Sequence, residues 1–484
     1  MNLAEALEIH ARARPLHPAV IAGDLTVTHG EFAERVRNAA AGLAALGVKR
    51  GDVVGLCLRD TPDHLVLLFA FARAGVVTLP IDWRWTIAEK KSVAKHFEAA
   101  AVFCEDDQQD IPDVAVRTMA DLAAASQGEG EIVASPDGAL PLLLSLSSGT
   151  TGRPKGPRID HRHMLRRFWT HWINFGLNST DRYVSATPLY FGGGRTFSMS
   201  VLFSGGTVVL YPPPFDVADL PGEIARVDAT SIFLVPAQLR KLLDLPSEAT
   251  ASMKRLRLLL SSGAPLTGDE RHEIGARLCE NFVEYYASTE GGGVSYSDAA
   301  TQRRYPDSVG LPVFAVEVEV VDEDDKPLPA GAIGHLRYRG PGVADGFYRE
   351  EAMEKSAFRH GWFYPGDLAE INEEGYVFLR GRAKDMIIRG GVNIHPAEIE
   401  SVLQSHPDVA EAAVVGRASK IMGQEVAAFV VLSRDISDED LVAWCRERLA
   451  PYKIPRDLIR LAELPRNSAG KVRKSELPPL PEES

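Results

Sequence analysis

Ten consecutive residues, Ser147-Ser148-Gly149-Thr150-Thr151-Gly152-Arg153-Pro154-Lys155-Gly156, bring together what a polyphosphate needs: glycines that free backbone N–H groups, hydroxyls, and the charge of a lysine. They follow an apolar run at residues 140–146, so the loop is predicted to leave the end of a buried strand. Glycine rather than Ser or Thr follows the lysine and the glycine spacing is different, so this is not a Walker loop. Ser/Thr/Gly clusters also make ordinary surface turns, and the weight lies in the string taken whole.

The string resembles the phosphate-binding segment of the adenylate-forming superfamily, which includes acyl-CoA synthetases, the adenylation domains of nonribosomal peptide synthetases and firefly luciferase. The resemblance recurs, in order, along nearly the whole chain. Glu284-Tyr285-Tyr286-Ala287-Ser288-Thr289-Glu290 is similar to the family's Tyr-Gly-x-Thr-Glu segment, with Ala287 where glycine is usual. It implies that Tyr286 stacks on adenine, the Thr289 hydroxyl meets the α-phosphate and Glu290 holds magnesium, with Tyr285 and Ser288 beside them. One carboxylate sharing a hard cation with phosphate oxygens is sound chemistry for Mg2+. Ser261-Ser262-Gly263-Ala264-Pro265 resembles the loop along the adenine ring, which brings Gly263, Ala264 and Pro265 to the base.

In Gly361-Trp362-Phe363-Tyr364-Pro365-Gly366-Asp367 the resemblance makes Asp367 the acceptor for the ribose hydroxyls, although Pro365 stands where threonine is commonest. Gly381-Arg382-Ala383-Lys384-Asp385 is similar to the family's interdomain linker, with Arg382 on ribose and Lys384 as swivel; such strings are otherwise exposed charged turns. The pair Gly390-Gly391 resembles the acyl-CoA synthetase form of a segment that lets the pantetheine arm of coenzyme A run close to the backbone. Asn467-Ser468-Ala469-Gly470-Lys471 is similar to the C-terminal loop that carries the adenylation lysine. Lys471 would bridge the attacking carboxylate and the α-phosphate, a task for a compact charge on a flexible stem.

The resemblance implies an ATP-dependent carboxylate–CoA ligase using ATP, Mg2+ and coenzyme A, with a mobile small domain that swings about Lys384 between two half-reactions. It places the acyl pocket at Tyr190, Phe191, Gly192, Val235, Pro236, Ala264, Gly291 and Gly292, where glycines leave room and aromatic side chains offer flat apolar faces. An aromatic or medium-chain acid would fit. No buried Asp or Lys is evident there to meet an ammonium or a second carboxylate, which argues against amino acids and dicarboxylates. Loading a carrier protein is the nearest alternative. A non-catalytic relative should lack Lys471, Glu290 or Arg382, and a kinase or ATPase should carry a Walker loop.

These segments need a scaffold, and the patterning supplies one. A capping box at Thr28-His29-Gly30-Glu31, a helix over residues 62–74 closed by Gly75, and apolar strands at residues 53–58, 76–79 and 140–146 give alternating strands and helices, hence a largely parallel sheet. Strands are also predicted near residues 207–211, 231–235 and 256–260, and short β-rich runs at 316–321 and 334–339 suggest a small β-barrel-like unit. Helices over residues 396–404 and 438–449 with strands near 411–415 and 426–432 return to α+β. The expected fold is therefore α/β: a large N-terminal domain at residues 1–380, a hinge at 381–385 and a small domain at 386–484.

Lys and Arg number 53 against 66 Asp and Glu, and a net charge of −13 is the wrong sign for nucleic-acid binding. The longest strongly apolar stretch, at residues 65–72, is too short for a membrane span, and residues 1–15 lack the order of a secretory signal. Four cysteines without CxxC spacing point to buried thiols in a reducing, cytoplasmic setting. A monomer or homodimer is expected.

Overall fold

The computed structural model describes residues 1–105, 111–125, 137–146, 155–390, 392–419, 421–466 and 471–480. Two sheets form the large region. In the nine-stranded sheet, strands Pro18–Ala22, Thr207–Leu210, Arg182–Ser185, Ser231–Leu234, Leu258–Ser261 and Phe282–Ser288 lie side by side and parallel. In the six-stranded sheet, Ala101–Cys104, Val53–Cys57, Val77–Pro80 and Pro141–Leu144 are neighbours and parallel. Every residue of Val53–Cys57, Thr207–Leu210 and Ser231–Leu234 is buried, as expected of parallel strands covered on both faces.

Local signals explain the helices that separate these strands. At the start of helix His29–Ala45 the Thr28 hydroxyl accepts from the Glu31 N–H at 3.3 Å, and the Glu31 carboxylate accepts from the Thr28 N–H at 2.8 Å. Helix Pro62–Ala74 opens with proline in its first turn and closes on Gly75 at φ +71°. It is buried from His64 to Arg73 because it packs on strands of both sheets, which removes any solvent-facing stripe.

A smaller antiparallel sheet follows, built from Glu317–Val321, Gly334–Arg339, Phe358–Arg359, Trp362–Phe363, Asp367–Ile371 and Val377–Arg382. The C-terminal region is α+β. Its hairpin Val409–Ser419 and Gly423–Leu432 carries helices Pro396–Gln404 and Asp438–Arg448 over a core of its own, including Ile394, Ile399, Leu403, Val414 and Leu441. The architecture is thus the expected α/β one with a separate C-terminal region. The hairpin runs well beyond the two expected strands, because Gly416 and Gly423 break the apolar alternation without ending the pairing. All four cysteines are buried and none is in a disulfide among the described residues, and no helix among them is long and apolar enough to cross a membrane.

Four buried histidines set the acid limit of this fold. Burial, the largest influence in each case, lowers His29, His64 and His161 to about 4 and His171 to about 3. Their folded pKa values lie below the unfolded one, so unfolding takes up protons below pH 6.5, and stability is present above that pH and lost as pH falls toward 4. The melting temperature should drop steeply between pH 6.5 and 4.5, with a slope approaching roughly 5 kcal/mol per pH unit if all four titrate on unfolding. His171 stacks on Phe197 at 4.2 Å, so His171→Phe should flatten the slope by about a quarter. A pH-independent melting temperature over this range would overturn the account.

Candidate active site

Strands Asp367–Ile371 and Val377–Arg382 pair so that Asp367 lies opposite Arg382. The Arg382 Nε is 2.7 Å from one carboxylate oxygen of Asp367, the Tyr286 hydroxyl donates to the other, and a second Arg382 nitrogen donates to the Pro365 carbonyl at 2.8 Å. Burial raises the Asp367 carboxyl above the usual range despite the cation beside it. Three expected nucleotide residues therefore meet at one corner.

Lys471 reaches the same corner from the far end of the chain. Arg466 and Val472 form an isolated bridge next to Lys471, and the Arg473 N–H donates to the Pro465 carbonyl at 2.7 Å. The side chain keeps access to solvent, yet the surrounding protein strips enough water to lower its pKa, helped by Arg382 and opposed by the carboxylates of Asp367 and Glu290. Residues 467–470, the rest of the expected motif, lie outside the described residues, as do Ser147, Ser148, Gly149, Thr150, Thr151 and Gly152 of the phosphate loop. Lys155 is described, with its ammonium over the Phe347 ring at 5.6 Å from the centroid.

The turn between strands Phe282–Ser288 and Gly292–Ser297 carries Thr289 and Glu290. Arg167, on helix His161–Trp169 and buried, clamps it from behind: the guanidinium donates to the carbonyls of Thr289 at 3.1 Å, Glu290 at 2.7 Å and Gly342 at 2.8 Å. Burial lowers its pKa to about 10, well within the charged range at neutral pH. The Ala344 N–H also donates to the Glu290 carbonyl at 2.9 Å, so the backbone of the turn is fixed. Glu290 belongs to no cluster of three or more metal-ligating side chains among the described residues; a single carboxylate suits Mg2+ that keeps water and phosphate oxygens as its other ligands.

Ser288 braces the same turn. Its hydroxyl accepts from the Gly291 N–H at 2.8 Å and lies 2.5 Å from the Tyr338 hydroxyl, whose side chain is fully buried. A Cβ at Gly291 would overlap the Tyr338 phenol. Gly291→Ala should therefore cost about 1–3 kcal/mol of stability by overpacking. It should also slow adenylate formation about 100-fold by displacing Glu290. A wild-type melting temperature would refute the clash.

Tyr285 departs from its expected place. Side chains alternate along a strand, so Tyr286 faces Asp367 while Tyr285 faces the other way, its ring 5.3 Å from Phe175, 5.9 Å from Phe197 and 6.4 Å from Phe233. It packs among these apolar side chains, not with the Tyr286–Asp367 pair.

Residues 7–348 match the family model described as AMP-binding enzyme and residues 398–471 that of the AMP-binding enzyme C-terminal domain. The chain belongs to the AMP-binding enzyme family. It is 32% identical over 481 residues to a feruloyl-CoA synthase of an Amycolatopsis species, covering 96% of both chains. Its fold superposes on ATP-bound MatB from Rhodopseudomonas palustris with a TM-score of 0.90 at 30% identity, over 98% of both chains. The o-succinylbenzoate CoA synthetase MenE from Bacillus subtilis, in complex with the acyl-adenylate OSB-AMP, gives a TM-score of 0.88 at 27% identity over 98% of both chains. The chain is an AMP-forming acid–thiol ligase: it joins a carboxylic acid to coenzyme A at the expense of ATP, through an acyl-adenylate.

In this ligase three of the turns expected to bind ligands follow the carboxyl ends of neighbouring parallel strands. Tyr190, Phe191 and Gly192 come after Arg182–Ser185, Val235 and Pro236 after Ser231–Leu234, and Gly263, Ala264 and Pro265 after Leu258–Ser261. A crevice at such ends is where open α/β sheets bind ligands. Gly263, at φ +106°, allows the tight turn there.

Charged side chains meet the turn expected to line the acyl pocket: Arg195 is buried, Asp60 half-buried and Arg84 exposed. Asp60 accepts from the Leu189 N–H at 2.7 Å, the Arg84 guanidinium donates to the Tyr190 hydroxyl at 2.9 Å, and Arg195, fully buried, donates to the Tyr190 carbonyl at 2.7 Å. Burial pushes the Asp60 carboxyl up to about 6. Asp60 and Arg84 lie more than a hundred residues upstream of the turn, so no local pattern announces them. Arg195 carries the one readable sign, a cation within the apolar run of helix Gly192–Ser204.

At the junction of the ligase's two regions, Ala383–Asp385 is a single helical turn with Lys384 exposed. Gly390, at φ +57°, donates its N–H to the Met422 carbonyl at 2.8 Å; Gly391 lies outside the described residues.

Proposed function

We propose that this ligase acts on an aromatic carboxylic acid, with free coenzyme A as acceptor, and that the clustered residues divide the work as follows. Asp367 and Arg382 receive the ribose, Tyr286 the adenine, and Lys155 with the 147–152 loop the phosphates. Glu290 holds Mg2+, which shares the charge of the phosphates when bound. Thr289 and Lys471 meet the α-phosphate. An acid oxygen attacks the α-phosphorus, its bond to pyrophosphate breaks, and the acyl-adenylate forms; the CoA thiol, losing its proton, then attacks the acyl carbon and AMP leaves. Alignment and charge neutralisation carry the first step. The small domain, residues 386–484, turns about 381–385 between the steps, and Gly390 and Gly391 line the thiol's approach.

One observation supports the aromatic acid above others: a Cβ built at Gly192 meets nothing within 4 Å, while at the neighbouring Gly193 it would meet the Phe233 ring at 2.9 Å. Open space thus adjoins a wall of Phe233, Phe197 and Tyr285, whose flat faces suit a ring. The feruloyl-CoA synthase and o-succinylbenzoate CoA synthetase, by their names, take acids of this class.

Pyrophosphate release should be measured over aromatic, aliphatic and amino acids, with and without coenzyme A. Preference for an aliphatic or amino acid, or product formation only with a carrier protein, would end this reading. Gly192→Val sends a branched side chain into the space that is open around a Cβ at this position. It should raise KM for the preferred acid about 10- to 100-fold while leaving the melting temperature within about 1 °C of wild type.

A further inference from the structure

Arg195 is a buried guanidinium without a carboxylate bonded to it among the described residues. It is 1% exposed, and its nitrogens donate to the carbonyl of Tyr190 at 2.7 Å, the carbonyl of Leu189 at 3.3 Å and the hydroxyl of Ser145 at 2.9 Å; Nε has no partner. The local charge that bears on it is a second cation, Arg167, and burial with that repulsion lowers its pKa to about 9. Burying a cation in this way costs several kcal/mol, whereas a Leu or Met would fill the space at no such cost. The site therefore needs what the guanidinium alone supplies: planar donors at fixed angles to several acceptors at once.

Those acceptors lie on two different bodies. Leu189 and Tyr190 form the turn after strand Arg182–Ser185 of the nine-stranded sheet. Ser145 follows strand Pro141–Leu144 of the six-stranded sheet, two residues ahead of the phosphate loop. Asp60, which follows strand Val53–Cys57 of that same six-stranded sheet, makes a second cross-sheet bond by accepting from the Leu189 N–H at 2.7 Å. The turn is also folded tightly onto the helix that bears Arg195: a Cβ at Gly194 would overlap the carbonyls of Thr187 and Pro188. A rigid path thus runs from the acyl-lining turn through one side chain to the root of the phosphate loop.

We propose that Arg195 is a positioning residue for adenylation: by clasping the Leu189–Tyr190 turn to Ser145, it sets the distance between the acid and the ATP α-phosphate across the two sheets. The proposal rests on the reading of that turn as acyl-lining. It sets adenylation apart from thioester formation. Before adenylation the two reactants are separate molecules whose spacing the protein must hold, and a misplacement near 1 Å costs about 100-fold. Once acyl and AMP are one molecule, a covalent bond holds that spacing.

The test compares both half-reactions in Arg195→Met and Ser145→Ala. In Arg195→Met, kcat for acid-dependent ATP–pyrophosphate exchange should fall about 100-fold, while thioester formation from supplied acyl-adenylate should fall less than about fivefold. Ser145→Ala removes one hydrogen bond and should give about a 10-fold fall in exchange alone. The double variant should be no worse than Arg195→Met, because the serine acts through the arginine. Equal losses in both half-reactions, or additive effects of the two substitutions, would overturn the clasp. If Arg195→Met does not fold, Ser145→Ala decides: exchange unchanged means no clasp. Gly192→Val, measured alongside, separates the readings. An unchanged acid KM in that variant together with the split half-reactions in Arg195→Met removes the space at Gly192 from the acid's path and leaves the clasp at Leu189–Tyr190 standing.

Discussion

Lys471→Ala is expected to lower acid-dependent ATP–pyrophosphate exchange about 1,000-fold, the loss of a preorganised charge at the reacting phosphate. Thioester formation from supplied acyl-adenylate should stay within about threefold of wild type. The expectation comes from position. Lys471 lies within the electrostatic reach of Glu290, Asp367 and Arg382, and its depressed pKa shows how much water the enclosure removes. In that setting a cation facing the attacking carboxylate and the α-phosphate works harder than in water. Lys471→Arg keeps a cation but not the compact head, and it should recover only part of the rate. Equal loss of both half-reactions would place Lys471 in the fold or in both steps and contradict its assignment to adenylation.

The parts of this site that can be read in sequence are the ones built from short continuous strings. Thr28 and Glu31 satisfy each other across one helical turn, and Pro62 and Gly75 mark both ends of a helix through backbone geometry that neighbouring residues cannot overrule. Asp367 and Arg382 are legible because each sits in a distinctive string, and the structure adds that the two strings are paired strands. Tyr285 and Tyr286 show where string reading stops. Adjacent in a motif, they face opposite sides of a strand, and only the period of the pleat separates the roles. Arg167, Tyr338, Asp60 and Arg195 were illegible for another reason. Their partners are distant in sequence and, for Arg167, Asp60 and much of Arg195, are backbone groups, as when Arg167 reaches Thr289, 122 residues away, and a carbonyl leaves no mark of its own in the amino-acid sequence.

The cleft is consequently a meeting of two kinds of residue. Asp367, Arg382, Glu290 and Lys471 present charge to whatever binds, and Arg167 and Arg195 turn theirs inward onto the chain. The inward pair holds the turns at 289–290 and 189–190, the first at the end of Tyr285's own strand and the second after strand Arg182–Ser185 of the same nine-stranded sheet. Both guanidiniums stay charged at neutral pH despite burial, with pKa values about 10 and 9.

Arg167→Met keeps most of the side-chain volume and removes every donor. The carbonyls of Thr289 and Gly342 lose the guanidinium bonds and Glu290 keeps only that from the Ala344 N–H, a cost of about 1–3 kcal/mol for each buried acceptor left unmade. A lower melting temperature follows, but it does not by itself separate scaffold from function. The magnesium dependence does. If Arg167 holds the Glu290 turn in place for the cation, the Mg2+ concentration for half-maximal adenylation should rise roughly 10- to 100-fold, the usual cost of removing the support behind a metal ligand. Saturating Mg2+ should then restore much of kcat. Arg167→Lys offers one donor group in place of a planar fork and should fall between the two. A variant that melts lower yet keeps the wild-type Mg2+ requirement would reduce Arg167 to a strut and detach the Glu290 turn from its control.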